Sequence, residues 1–533
     1  MVDQIRFGRL IADLPLMLDF GSWGMIDMSA ALDAFGDVLA WFDREDVIKS
    51  EKDRASMILA ARRYHDGNHV KPLKVNPGDT DDNVLLNLCR ALVDDSVSWL
   101  FGNPETGVLK IELEQKFEET PEATPNGEPE SEPEAAGSDV GDLLEAMYEA
   151  SGGFHFYKRL GLRGCVAGHS FVKLIQNAGD KTPRAVVLDP MLCSVRTDPV
   201  DTDQATAYKI EWTREETDPM SKRRDTYIYR QLVVNAGALE EPAWVIADFK
   251  TKDRRKREWM LVNGPWAWPW SWSPVHDCRN VEAGWGYYGL SDMEDVAGLN
   301  DAVNFIASNT MRILKFHAHP KTIGTGFTAD DLQETSIDSF WSIDNPDAEV
   351  KNLEMQSDLA SSLAFLDFIR TAFWSIGRGL DPSVFKDKVG QITNFALRVL
   401  AIRAIHKMGD KRLTYGKMLR DLNTHALEML GRPGVKTIIV WPDSMPEDPA
   451  AVIDQLEREV GLGIVSRQTA AEERGRSWDV ERERIRNEKE ENASLGEYLI
   501  EQFDRGGGAF GANQNGGNRN VDDNARQSAG NQS

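Results

Sequence analysis

The sequence has few cysteines and no long hydrophobic run. Its four cysteines lie far apart and form no Cys-x-x-Cys pair, a pattern typical of isolated, reduced thiols in a protein made in the cytoplasm. No segment approaches the roughly 18 uninterrupted apolar residues that a membrane span requires. The N-terminal segment has no continuous apolar region and carries Asp3, Asp13 and Asp19, so it does not resemble a secretory signal. We therefore expect synthesis in the cytoplasm and no membrane partner.

Basic charge is also scarce, since 61 Lys and Arg residues face 86 Asp and Glu residues, a net charge of −25. Binding phosphate groups over a whole surface requires lysine and arginine, so this balance excludes a protein that grips nucleic acid everywhere. It is compatible with a protein past which DNA slides without being held. The 533 residues suggest several domains, and the 41% of hydrophobic residues indicates that most of the chain is globular.

Two segments lack the composition of a packed core. Residues 117–141 contain eight acidic residues, four prolines and no Lys or Arg. This composition predicts a disordered acidic insert, because such a segment buries too little apolar surface to offset its conformational entropy. From Gly506 onward Gly, Asn, Gln and Ser dominate, which predicts a flexible tail at 506–533.

Hydrophobic periodicity predicts an α+β fold that is mainly helical. Apolar residues recur every three or four positions in 27–65 and 83–101, which indicates helices. Residues 170–247 alternate between apolar and polar positions, and turn residues separate the runs, which predicts antiparallel strands. From Ser291 to about Leu499 the pattern is again helical.

Three long helices are predicted after Ser291. Ser291 and Glu294 have the spacing of a capping box, so the first helix should begin there and run to about Phe316. The second is predicted at 357–376 and the third at 391–430. The excursion 317–356 joins the first two helices, and a polar, Gly-bounded loop at 377–390 joins the next two.

Motifs that suggest catalysis lack the surroundings they need. Gly284-Trp-Gly-Tyr-Tyr-Gly289 matches the GxGxxG fingerprint, but no hydrophobic strand precedes it and no acidic residue follows about 20 positions later. A nucleotide-binding enzyme that uses this turn is the first alternative function. His276-Asp277-Cys278 lacks the Gly-rich elbow of a nucleophile, and the sequence contains no Walker A motif. We predict a protein that is not an enzyme.

Two further patterns have ordinary structural interpretations. Residues 250–257 are the densest basic cluster, and alternating tryptophans follow at 266–272, a combination found on surfaces that bind single-stranded nucleic acid. The cluster also fits a solvated hairpin tip, and alternation in an extended segment would place the indoles on one face. His317 and His319 lack acidic partners at ligand spacing, so we predict no metal and no cofactor.

Several segments, in this order along the chain, resemble the portal proteins of tailed bacteriophages, the head-to-tail connectors of long-tailed phages. The most specific is Tyr288-Gly-Leu-Ser-Asp-Met-Glu-Asp-Val-Ala-Gly-Leu-Asn-Asp-Ala-Val-Asn304, followed by Ser308-Asn309 and His319-Pro320. It is similar to the start of the stem helix in that family. The ending Phe101-Gly-Asn-Pro104 and the segments Gly168–Lys173 and Val187–Pro190 are supporting similarities.

The resemblance implies a portal fold with a wing, a stem, a clip and a crown, assembled as a ring. The wing would be 1–290 with its acidic insert, completed by a long helix and return strand at 391–447. The remaining parts would be stem helices at 291–316 and 357–376, a clip at 317–356, a tunnel loop at 377–390, a crown at 448–505 and the tail.

The resemblance also implies functional residues. The stem residues would be Ser291, Asp292, Glu294, Asn300, Asn304, Ser308 and Asn309. The tunnel loop would meet DNA through Val384, Phe385, Lys386, Asp387, Lys388 and Gln391. The clip would dock the packaging motor or the connector through His319, Lys321, Phe327 and Trp341.

Portal proteins form dodecameric rings at one capsid vertex, where they are the channel for genome packaging and ejection. The implied partners are other copies of the chain, double-stranded DNA bound non-specifically, the terminase large subunit, a head-completion or adaptor protein and the major capsid protein, with a scaffold protein as a further candidate. The chain would be made in the host cytoplasm and reside in the virion. A capsid or scaffold component other than a portal is the second alternative.

Overall fold

The computed structural model forms two compact units, Met1–Pro446 and Glu447–Ser533. It describes residues 28–75, 77, 81–104, 107–113, 134–176, 180, 182–217, 224–238, 240–252, 258–318, 321–325, 347, 349–353, 359–385, 394–442, 449–473, 476–478 and 480–487. Helices and strands are both abundant in these residues, which confirms the predicted α+β class.

The first unit contains nine described helices and fourteen described strands. Its helices are α1 (Met28–Phe42), α2 (Glu45–His65), α3 (Leu88–Phe101), α4 (Glu134–Ser151), α5 (Phe154–Ala167), α6 (Ala297–Ala318), α7 (Leu359–Ile376), α8 (Asn394–Leu400) and α9 (Ile402–Met429). Its strands are β1 (Gly102–Asn103), β2 (Gly107–Val108), β3 (Lys110–Leu113), β4 (His169–Ile175), β5 (Arg184–Leu188), β6 (Cys193–Thr197), β7 (Ala205–Thr217), β8 (Arg224–Asn235), β9 (Trp244–Thr251), β10 (Met260–Ala267), β11 (Val275–Arg279), β12 (Lys321–Thr325), β13 (Glu349–Leu353) and β14 (Thr437–Val440). The second unit contains α10 (Pro449–Gly461) and α11 (Arg467–Glu473).

The predicted antiparallel region is confirmed and forms two sheets. One has five strands in the order β10-β9-β8-β7-β6, and the other has three in the order β11-β4-β5. All their pairings are antiparallel. The hairpin predicted around the basic cluster is also present, as β9 and β10. Two further two-stranded pairings, β12 with β13 and β14 with β3, use strands far from these sheets in sequence.

Of three clusters of buried apolar residues in the described part of the chain, two pack helices against these sheets. Phe35 and Phe42 of α1 pack with Leu232 and Phe249 on the five-stranded sheet. The larger cluster joins α3, α5 and α9 to the three-stranded sheet and is centred on fully buried side chains such as Tyr415. Fully burying one apolar side chain contributes roughly 1.5–3 kcal/mol. Buried residues occur along most of α9, so they hold the helix against the core over most of its length.

The acidic insert was predicted to reach residue 141, and this boundary is wrong, because α4 begins at Glu134. Alanine and glutamate favour helix at its start, and Val140, Leu144 and Met147 turn one face into the main core. The burial of these apolar residues outweighs the polar composition of the preceding segment. Residues 114–133 and the predicted tail lie outside the described part of the chain.

The third long helix was predicted as one element at 391–430 but is divided into α8 and α9. The division falls at Ala401, where ψ is 0° instead of the helical value of about −42°. The backbone turns there without a proline or glycine. The second helix, predicted at 357–376, is confirmed as α7 within two residues.

α7 is also long and apolar enough to cross a membrane, judged by length and composition only. Asp367 and Arg370 interrupt its apolar run, which is why no uninterrupted span was predicted. Of its eighteen residues only Phe373 and Trp374 are buried within the chain. α7 therefore presents an apolar surface that the described part of this single chain leaves uncovered.

Candidate functional site

A buried ion cluster lies on the segment between β11 and α6. The carboxylate of Asp292 lies 2.6 Å from the ammonium of Lys411 and 3.2 Å from that of Lys407. It also accepts a hydrogen bond of 2.9 Å from the side-chain amide of Asn280. All four side chains are buried. α9 brings the two lysines together because residues four positions apart share one face of a helix.

The cluster holds two ammonium groups against a single carboxylate. Burial by itself raises the pKa of the Asp292 carboxyl, but the attraction of Lys411 and Lys407 outweighs burial and holds that pKa below its usual range. Burial lowers the pKa of Lys407. For Lys411, the attraction of Asp292 outweighs burial and raises the pKa. Asp292 is therefore the counter-charge on which both lysines depend.

Lys407 also reaches the C-terminal end of α7. Its ammonium donates a 3.0 Å hydrogen bond to the backbone carbonyl of Gly377, the residue that follows α7. A cation is favourable there because the helix macrodipole places partial negative charge at this end. Lys407 thus contacts both the segment that leads into α6 and the end of α7.

Three polar side chains of α6 hold an extended segment and the first residue of α3 against the helix. We name these residues, 82–88, the strap. The three side chains are four positions apart, and each accepts a hydrogen bond from a strap N–H. The donating N–H groups are two positions apart and run in the opposite direction to the helix. The bonds join Leu88 to Asn300 at 2.9 Å, Leu86 to Asn304 at 2.7 Å and Val84 to Ser308 at 2.9 Å.

The side chains of α6 and the N–H groups of the strap face each other because their spacings are nearly equal. Four helical residues rise about 6 Å, and two extended residues rise about 6.6 Å. Two of the side chains also donate back, from Asn300 to the Leu86 carbonyl at 3.0 Å and from Ser308 to the Val84 carbonyl at 3.3 Å. The side chains of α6 therefore take the place of a neighbouring strand.

The predicted capping box is wrong, since α6 begins at Ala297 and not at Ser291. The Ser291 hydroxyl accepts a hydrogen bond from the N–H of Met293 at 3.2 Å and donates one to the Cys165 carbonyl at 3.0 Å. These bonds divert it from the amide of Glu294, whose side chain is exposed. The turns before Ala297 place Asp292 in the ion cluster instead.

The structure thus gathers most of the predicted stem residues into two groups. Ser291 and Asp292 lie at the ion cluster, and Asn300, Asn304 and Ser308 hold the strap. Asn309 is half-buried on the same helix. Sequence reasoning missed Lys407 and Lys411; the available signal was two lysines four apart on a face otherwise formed by Ala404, Met408 and Tyr415.

The predicted clip and tunnel-loop residues lie largely outside the described residues. This holds for His319, Phe327, Trp341, Lys386, Asp387, Lys388 and Gln391. Lys321 begins β12, and Val384 and Phe385 end a short 3₁₀ helix at Pro382–Phe385. Their predicted roles stay predictions.

Two tyrosines of the Gly284–Gly289 turn form hydrogen bonds to other parts of the protein. The Tyr287 hydroxyl donates to Asp277 at 2.6 Å, and the Tyr288 hydroxyl accepts from the Val195 N–H at 3.0 Å. Asp277 is further bonded to His169 at 2.7 Å. Its carboxylate is therefore committed to holding the turn in place. This geometry gives the nucleotide-binding alternative no support.

The tryptophan run does not form one extended face. Trp268, Trp270 and Trp272 pack against each other with ring centres 4.9–5.5 Å apart. Trp272 also stacks on His425 of α9 at 4.2 Å. A cavity of about 530 Å³ lies beside this stack. Among the described residues, no group of three or more His, Cys, Asp or Glu side chains could hold a metal ion.

Comparison with known proteins bears on the same part of the chain. Residues 274–495 match the family model described as phage portal protein, SPP1 Gp6-like. The resemblance to phage portal proteins is confirmed. The match begins at β11 and includes the ion cluster, α6, α7 and α9. Portal proteins are structural proteins, not a family of enzymes.

Solved structures give weaker similarities to this portal-like chain. One, titled virion of native gene transfer agent (GTA) particle, is 13% identical, covers 79% of this chain and 93% of its own, and has a TM-score of 0.39. Another, titled neck of native GTA particle computed with C12 symmetry, is 14% identical, covers 62% and 80%, and has a TM-score of 0.33. No curated protein matches the sequence.

Proposed function

We propose that the protein is a portal that assembles as a dodecameric ring at one capsid vertex and conducts double-stranded DNA during genome packaging and ejection. The clip would dock the terminase large subunit and later a head-completion or adaptor protein, and the wing would meet the major capsid protein and a scaffold. The family match over 274–495 supports this proposal. The ion cluster and the strap would then connect the stem to the wing.

The observation that carries the proposal is the uncovered apolar surface of α6 and α7. Leu363, Phe365 and Phe368 are exposed by 52%, 52% and 64% along α7. Phe305 and Leu314 are likewise exposed on α6. Apolar surface of this extent is unfavourable in water and marks an interaction site. Repetition around an axis would bury it between neighbouring copies.

The domain limits inferred from the resemblance fit this assignment. We propose 291–316 and 357–376 as the paired stem helices, 317–356 as the clip, 377–390 as the tunnel loop and 448–505 as the crown. The wing would contain 1–290 and the return through 391–447, where β14 pairs with β3. The pairing of β12 with β13 closes the base of the proposed clip.

Net negative charge suits a channel of this kind. Many cationic sites would hold the duplex through counterion release and slow its movement. A net charge of −25 for each copy repels phosphate, so DNA would stay centred and mobile. Lys386 and Lys388 of the proposed tunnel loop would touch the backbone transiently without reading bases.

Light scattering of the purified full-length protein tests the ring. The variant Phe365→Asp/Phe368→Asp places charges on the exposed face of α7 and should reduce the assembly to single chains of 59.7 kDa. Val200→Asp, at a site 95% exposed in a connection of the wing, is the matched control and should leave the assembly intact. A wild-type monomer, or an assembly unaffected by the α7 variant, contradicts the proposal.

A further inference from the structure

Arg378 has a backbone conformation that residues with a β-carbon avoid. It follows the end of α7 by two residues, and its φ is +52°. Among the described residues it is the one non-glycine residue with positive φ. The β-carbon approaches the backbone in this left-handed conformation, which is why such positions usually hold glycine.

Glycine is present on both sides of Arg378, but both glycines serve another purpose. A β-carbon at Gly377 would lie 2.9 Å from a methyl group of Leu92 and 3.3 Å from Val296. One at Gly379 would lie 2.7 Å from the Trp374 ring and 2.8 Å from Leu92. The chain therefore needs both glycines for close packing against α3. The left-handed conformation falls on the arginine between them.

Contacts from α9 hold this strained end in place. Lys407 donates to the Gly377 carbonyl at 3.0 Å, and Arg403 donates to the Ser375 hydroxyl. Within the end itself, the Gly379 N–H donates to the Trp374 carbonyl at 3.0 Å. A bond of this kind is usual at a helix C-terminus where the residue just before the donor, here Arg378, is left-handed. The strain is thus opposed by contacts with a second helix.

The same sequence has a second conformation open to it. With Arg378 in the right-handed helical region, α7 could continue through Gly377–Leu380, about 6 Å further. Pro382 would stop it there, because the residue before a proline disfavours the helical conformation. We propose that the end of α7 is a two-state element, either short with Arg378 left-handed or one turn longer with Arg378 right-handed.

This two-state element is a property of the single chain and goes beyond the proposed ring function. In the short state, Gly379 packs against Leu92 and Trp374, and its N–H is bonded to the Trp374 carbonyl. In the long state, those contacts of Gly379 are exchanged for one more helical turn. If the ring proposal is correct, the element would set where the proposed tunnel loop 377–390 leaves the stem.

Hydrogen exchange of the purified full-length protein, followed over the peptide 369–385, tests the inference. Arg378→Gly removes the strain and should slow exchange at Gly377 and Gly379 about fivefold. Arg378→Ala is the matched control, because it removes the guanidinium but keeps the β-carbon. It should stay within about twofold of the wild type.

Gly379→Ala tests the second state. In the short state a β-carbon at this position would lie 2.7 Å from the Trp374 ring and 2.8 Å from Leu92, and alanine favours helix. The substitution should slow exchange at Leu380 and Asp381, which gain helical hydrogen bonds in the long state. Faster exchange in Arg378→Gly, or unprotected Leu380 and Asp381 in Gly379→Ala, overturns the inference. Neither outcome depends on whether rings form, so the ring proposal is tested separately.

Discussion

The ammonium of Lys411 lies 2.6 Å from the carboxylate of Asp292, and neither side chain is exposed to solvent. The two residues are far apart in sequence and belong to different elements, so this ion pair fixes the start of α6 against α9. Lys407 pairs with the same carboxylate and also donates a hydrogen bond to the Gly377 carbonyl at the end of α7. This cluster is therefore one buried junction between the proposed stem and the proposed wing.

Replacing that charge should destabilise the protein strongly. Asp292→Asn leaves two buried ammonium groups without a counter-charge, and we expect a loss of about 3–5 kcal/mol in the free energy of unfolding. Asp295→Asn, at an exposed position three residues later, should change it by less than about 0.5 kcal/mol. Urea denaturation followed by tryptophan fluorescence measures both. Equal effects of the two substitutions would show that the cluster is dispensable.

The strap gives a second stability prediction. Asn304→Ala removes the acceptor of the Leu86 N–H, and an unsatisfied, partly buried donor costs about 1–3 kcal/mol. Asn309→Ala, half-buried on the same helix, is the matched control and should cost less. Exchange of the Leu86 amide should also become faster in the first variant alone. An unchanged Leu86 amide would contradict the assigned hydrogen bond.

Acid should weaken the contact between β11 and α9 through two histidines. The ring nitrogens Nε2 of His276 and Nδ1 of His425 lie 2.6 Å apart. Burial and the neighbouring His425 lower the pKa of His276 to about 3, and burial lowers that of His425 to about 4. Both values lie below the unfolded value of about 6.5. Between the folded and unfolded pKa values, the unfolded chain therefore binds more protons than the folded one. The contribution of the two neutral histidines to the free energy of unfolding is complete above pH 6.5 and is lost as the pH falls.

The expected size of this effect makes it measurable. His276 alone should reduce the free energy of unfolding by about 2 kcal/mol between pH 7 and pH 5. In His276→Gln the decrease over this range should be correspondingly smaller. The exposed His155 provides the control, His155→Gln, which should keep the wild-type dependence. Identical pH profiles for the wild type and His276→Gln would refute the assignment.

The proposed tunnel loop gives a functional prediction. Lys386→Glu/Lys388→Glu reverses the two positive charges that would face DNA, so packaging or genome retention should change while rings still assemble. DNA packaged per particle, measured in a packaging assay, is the readout. Normal packaging by rings of this variant would argue against DNA contact at these positions.

The sequence alone was most reliable where local pattern decides structure. The apolar periodicity of Leu359–Ile376, stopped by Gly377, predicted α7 within two residues, and strand alternation predicted the antiparallel region but not its division into two sheets. The capping box predicted at Ser291 was wrong because the Ser291 hydroxyl bonds to the carbonyl of Cys165, which is distant in sequence. The partner of Asn304 is likewise a distant backbone group, so the resemblance that singled out Asn300, Asn304 and Ser308 did not predict the strap.

Electron microscopy of the negatively stained, purified full-length protein is the most direct test of the proposed ring. We expect rings with a central hole and twelvefold axial symmetry, since the exposed faces of α6 and α7 need neighbouring copies. Compact single chains of 59.7 kDa, or closed assemblies without a central hole, would contradict it.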